Sequence, residues 1–155
     1  MATKNEVIGE LEKTYSDFHA KIQGLDDLAW EEVWLGKWST NHLLAHMAGW
    51  AKEMTKGIER VKAGERPTPE GVSYADADLW NAKFSSTASP GKYSVPSFEH
   101  AIKQYIQAAK DLPESFYGES EDGKAKIGNR LLQGAGIHHF GEHGAQLDAW
   151  LASRK

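Results

Sequence analysis

The sequence predicts an all-α protein: an up-down four-helix bundle with a long crossover between helices 2 and 3. Three observations predict it. Four segments carry apolar residues recurring three and four apart, and no segment alternates apolar and polar residues as a half-buried strand would. Between the second and third of these segments lies a stretch holding four of the chain's five prolines, which no helix interior would tolerate. With 155 residues and 17.2 kDa, one domain spanning 1–155 is expected.

The first helix is expected from about Lys4 to Ile22, where Val7, Ile8, Leu11, Tyr15, Phe18 and Ile22 form one stripe and Gly24 stands ready to end it. A connector containing Trp30, Trp34 and Trp38 follows. Ser39 is the N-cap of a second helix reaching about Lys62, with Leu43, Leu44, Met47, Trp50, Met54, Ile58 and Val61 as its core face. After Gly64 the turn-rich segment reads as a long loop with one short helix near Ala75 to Phe84, placed as a lid or wall over a site or as a packed connector across the bundle end. A third helix beginning near Ser94 to Ser97 carries Phe98, Ile102, Tyr105, Ile106 and Ala109 before Pro113, and a fourth runs from about Lys126 to Ala152.

Composition narrows the chemistry. Eighteen basic and 22 acidic residues give a net charge of −4 with no basic block, so nucleic acid is not expected as a partner. There is no cysteine, which removes thiolate metal sites and cysteine nucleophiles and leaves imidazole and carboxylate. Charges within the first dozen residues and the lack of a long apolar run argue against a signal peptide, a membrane span and membrane association, making the cytoplasm the expected location. No P-loop, dinucleotide fingerprint or GxSxG elbow is present.

The histidines stand out on the helical wheel. At about 100° per residue, Leu132, Gly136, His139, His143, Leu147 and Trp150 fall in one line, which sets two imidazoles one turn apart in the middle of an apolar stripe. Buried imidazole nitrogens need partners. Each could be a core histidine satisfied by a neighbour, or the pair could converge on one ion. On the second helix His46 lies on the shoulder of the stripe and His42 about 40° nearer solvent, while His138, His19 and His100 read as surface residues. His46, His139 and His143 are therefore the expected metal ligands, with Gln146 and Glu53 as groups that could orient a histidine or a bound water. An all-nitrogen site suits a divalent ion such as zinc or nickel, with copper and iron also open. The glycines at 128, 134, 136, 141 and 144 imply close helix approach, a cavity beside the histidines, or a self-association face.

The stretches WSTNHLLAHMAGW (38–50) and HHFGEHGAQLDAW (138–150) resemble the second and last helices of the DinB/YfiT-like superfamily, with His46, His139 and His143 at that superfamily's metal-histidine positions. HMAGW and DLWNAKF look most like its ClbS/DfsB branch. That branch implies a cytoplasmic bacterial protein that disarms reactive small molecules; because its cyclopropane-hydrolysing members are not defined by an intact triad, the metal inference rests on the wider superfamily. The superfamily implies homodimers and activities that include isomerisation and transfer to low-molecular-weight thiols. Three function classes follow. One is a metal-dependent hydrolase or thiol transferase acting on a small electrophile. The others are a binding module using Trp34, Trp38, Trp50 and Trp80, and a metal-stabilised stress protein.

Overall fold

The computed structural model describes residues 2–154. Helix α1 (Lys4–Ile22) starts at a reciprocal cap: the Thr3 hydroxyl accepts from the Glu6 amide at 3.3 Å, and the Glu6 carboxylate accepts from the Thr3 amide at 3.2 Å. The helix ends at a right-handed C-cap, Gln23, and Gly24 just beyond it is not left-handed, so it does not end the helix by the expected left-handed turn. A short helix, α2 (Asp27–Glu31), lies inside the tryptophan-rich connector, held by Asp26 accepting from the Ala29 amide at 2.8 Å. Sequence periodicity misses it because five residues are too few to show a repeat.

Helix α3 (Thr40–Lys62) begins after Ser39, as expected. The long crossover contains α4 (Ala77–Ser85), capped by Asp76, and a 3₁₀ turn (Gly91–Ser94) that runs into α5 (Val95–Asp111) with Pro96 in its first turn. The final helical stretch is composite: α6 (Ile127–Leu132), a π segment (Gln133–His138), then α7 (His139–Ser153).

The four long elements of the bundle are α1, α3, α5 and the composite α6–α7. Among the described residues there is no strand, only two isolated bridges. Helix α3 packs most extensively on α5, while α1 lies along α7. Phe18, Phe98 and Phe140 meet in the centre with ring centroids 5.8–6.4 Å apart, and Leu11, Leu43, Leu44, Met47, Ile102 and Leu147 complete a core shielded from water.

Two expected core residues of the second helix, Trp50 and Met54, are half-buried. Trp50 instead meets α4, donating its indole N–H to Asn81 Oδ1 at 2.7 Å and packing against Tyr74, Trp80 and Phe84. Helix α4 sits close because Gly49 has no side chain: a Cβ there would lie 2.2 Å from the Phe84 ring. The crossover thus becomes a wall beside α3. Among the described residues no helix is long and apolar enough to cross a membrane.

Candidate metal centre

His46 reaches the site from the second turn of α3. The start of that helix is set by Ser39, whose backbone N–H donates to His42 Nδ1 at 3.3 Å while its hydroxyl lies 2.8 Å from the same nitrogen. His42 is thereby a capping residue, turned away from the other histidines. The tight turn Leu35–Trp38, closed by reciprocal backbone bonds of 2.9–3.1 Å and a left-handed Gly36 (φ 60°), brings the Trp38 ring to 4.7 Å from that of His46.

His139 and His143 come from α7, whose entry is set by the π segment. Gly136 faces α1 and α5 so closely that a Cβ would stand 2.8 Å from both Leu11 and the Tyr105 hydroxyl. The space left open lets buried Tyr105 donate to the Leu131 carbonyl at 2.5 Å, where the backbone ladder changes from α to π spacing. The wheel drawn through Leu132 and His139 assumed one unbroken α-helix, and that assumption fails between 133 and 138. Within α7 it holds, and His139, His143, Leu147 and Trp150 share a side.

The three imidazoles meet across the α3–α7 interface. One ring nitrogen from each lies within 4.8 Å of the others, with His46 and His143 buried and His139 half-buried. His46 Nε2 and His139 Nε2 are 2.8 Å apart, and their rings stand nearly perpendicular at 82°. His143 Nδ1 lies 2.7 Å from Gln146 Oε1. An amide oxygen only accepts, so Nδ1 carries the proton and Nε2 presents its lone pair to the other two rings.

Burial, reinforced by the nearby His143, pushes the His46 imidazole down to about 4. Burial and the two companion imidazoles push His139 down to about 3. His143 is also lowered by burial, against the opposing effect of its hydrogen bond to Gln146. All three are neutral near pH 7, which is the form that ligates a metal. The Nδ1 atoms of His46 and His139 are buried without hydrogen-bond partners. Two orphaned nitrogens in a cluster of three rings make a poor core element. A convergent, neutral, all-nitrogen donor set fits a borderline divalent ion.

The cluster opens onto a cleft of about 400 Å³ lined by Trp38, Trp50, Ala77, Asn81, Gly134 and Glu142. A neighbouring cleft of about 900 Å³ shares Trp38, Asn81 and His143 with it and is walled by Lys37, His42 and Gln146. Of the groups named as possible helpers, Gln146 touches His143, whereas Glu53 lies elsewhere beside Tyr74 and Lys56. His138 and His100 are exposed; His19 is half-buried and 2.8 Å from Glu99.

Asn81 and Glu142 were missed by sequence reasoning. For Glu142 a signal existed: His139–Phe140–Gly141–Glu142–His143 spells H-x-x-E-H, in which the carboxylate follows the first histidine by three residues and so shares its helix face. Asn81 had no local signal, because only the seating of α4 brings it to the cleft. The glycines serve two of the purposes expected of them, Gly136 close approach and Gly134 the open side of the cleft.

No family model and no curated protein matches the chain. Solved structures do. ClbS, the colibactin self-resistance protein, solved in complex with double-stranded DNA, superposes with a TM-score of 0.80 at 14% identity over 96% of this chain and 95% of its own. DfsB, described as a sibling lethal factor precursor, gives 0.78 at 16% identity over 100% and 98%. The mycothiol-dependent maleylpyruvate isomerase gives 0.72 at 18% identity; 95% of this chain matches 63% of that one.

The chain therefore has the DinB/YfiT-like helical fold, as the two histidine-bearing motifs suggested. The expectation that nucleic acid is not a partner is corrected by ClbS, a protein of this fold solved with DNA. Net charge sums the whole surface, whereas phosphate contacts need only a few cations on one face.

Proposed function

We propose that this single-domain protein (1–155) binds one divalent metal ion, zinc or nickel, through His46, His139 and His143. Its proposed reaction is with a small electrophilic compound, by water or by a low-molecular-weight thiol. The observation that carries the reading is the convergence of three neutral imidazoles, two buried and one half-buried, at the mouth of an open cleft. Three protein ligands leave positions for exchangeable ones, the pattern of catalytic rather than structural sites. A bound ion would supply Lewis acidity, lowering the pKa of a water or thiol and polarising the electrophile.

The chain's own groups have separable tasks. Gln146 holds His143 with its Nε2 toward the cluster. Glu142, on the cleft wall one residue before His143, is placed to take the proton that the nucleophile loses. Trp38 packs on His46 and, with Trp50, supplies the apolar surface that receives the substrate's body. The similarity to a thiol-dependent isomerase supports keeping a thiol beside water as nucleophile.

The test is turnover of chlorodinitrobenzene with cysteine, and of a nitrophenyl ester without thiol, by metal-loaded protein. A thiol route shows saturation in thiol and fails on chelation; a water route runs without thiol and also fails on chelation. Glu142→Gln should lower the rate at least tenfold with metal content unchanged. Turnover surviving complete metal removal and the triple histidine substitution would reject the proposal.

A further inference from the structure

On the other flank of α4 the crossover covers a second pocket, of about 270 Å³, which shares no residue with the histidine cleft. Its floor is apolar, made by Ala45, Ala48, Phe84 and Phe98. Its rim is cationic. Lys52 and Lys56 stand one turn apart on α3 and Lys83 joins them from α4, with the Ser97 hydroxyl on the α5 side.

The cations are under-compensated. Among the described residues Lys52 has no ion-pair partner, Lys83 has only the Trp80 ring beneath it at 5.1 Å, and Lys56 reaches Glu53 at 3.9 Å. Glu53 is the one carboxylate on the lining, and it also accepts from the Tyr74 hydroxyl at 3.5 Å. Like charges at i, i+4 repel. Three exposed lysines around one partly open hollow form an arrangement that an anion would relieve.

We infer that this pocket binds a phosphate monoester carried on a small apolar body. Three lysines against one carboxylate leave two uncompensated positive charges, which match the nearly doubly charged monoester near pH 7. The apolar floor then receives the organic group. A phosphodiester within a nucleic-acid backbone carries one charge and chain on both sides, which suits a terminal pocket of this size less well.

Calorimetric titration of the full-length protein with phenyl phosphate, at fixed ionic strength, tests the inference. One saturable site is expected, and phenol should bind at least tenfold more weakly. Lys52→Gln combined with Lys83→Gln should weaken phenyl phosphate at least tenfold with an unchanged thermal midpoint, and Glu53→Gln should tighten it. Three results would each overturn the inference: no saturable binding, affinity unaltered in the double variant, or a DNA duplex that displaces phenyl phosphate from this pocket.

Discussion

Helix α7 has two sides that obey different rules. Toward α1 it presents Phe140 and Gly144, which lie against Phe18 and its neighbours in the apolar core. Toward α3 it presents His139 and His143, whose cluster leaves two buried nitrogens unpaired and opens into a cleft. The first side is what a stable bundle needs. The second spends stability on convergent donors, and it coincides with the break in helical regularity at the π segment. A helix interface can therefore be assigned to folding or to chemistry by how well its polar atoms are satisfied.

Substitutions should separate the two sides, beginning with the largest effect. Phe18→Ala removes a fully buried ring between Phe98 and Phe140, and denaturant unfolding should show a loss of about 3–5 kcal/mol. Gly136→Ala forces a methyl group against Leu11 and Tyr105 and should cost about 1–3 kcal/mol. Because the Tyr105 contact anchors the π segment, the same variant should also weaken metal binding by calorimetry. If stability falls and metal affinity does not, the π segment is not what positions His139.

Acid should act on the histidine side. The folded-state pKa values of His46 and His139, about 4 and about 3, lie below the usual imidazole value of 6.5. These groups take up protons more readily when unfolded, so metal-free protein is most stable above pH 6.5 and loses stability as pH falls toward 4. The slope is about 1.4 kcal/mol per pH unit for each proton bound only on unfolding. Chemical denaturation of metal-free protein at stepped pH checks this. A flat profile from pH 7 to 4 would contradict the depressed values. His139→Leu in metal-free protein should cost about 1–3 kcal/mol, because the ring takes its orphaned Nδ1 with it but leaves the buried His46 Nε2 without its partner at 2.8 Å.

Much of this architecture was legible in the sequence because long amphipathic helices advertise their period. The bounds of α1 and α3, the Ser39 cap and the short helix in the crossover all follow from stripe and cap residues. Short α2 and the π segment did not, because one lacks the length to show a repeat and the other depends on a tertiary contact between Tyr105 and Leu131. The imidazole cluster was readable from two histidine-bearing faces. Its surroundings were less so: Gln146 was within reach by spacing, whereas Asn81 enters only through the fit of Phe84 against Gly49. Glu53, which shares a helix shoulder with His46, was drawn toward Tyr74 and the lysine pocket by contacts invisible to a wheel.

The proposed metal site depends on His46, His139 and His143 acting together. Elemental analysis of protein purified without an affinity tag, set beside the three single alanine variants and His42→Ala, tests it most directly. About one divalent transition metal per chain is expected in the parent and in His42→Ala, with loss of most of it in each of the other three. Full occupancy in His46→Ala, or loss of metal in His42→Ala alone, would contradict it.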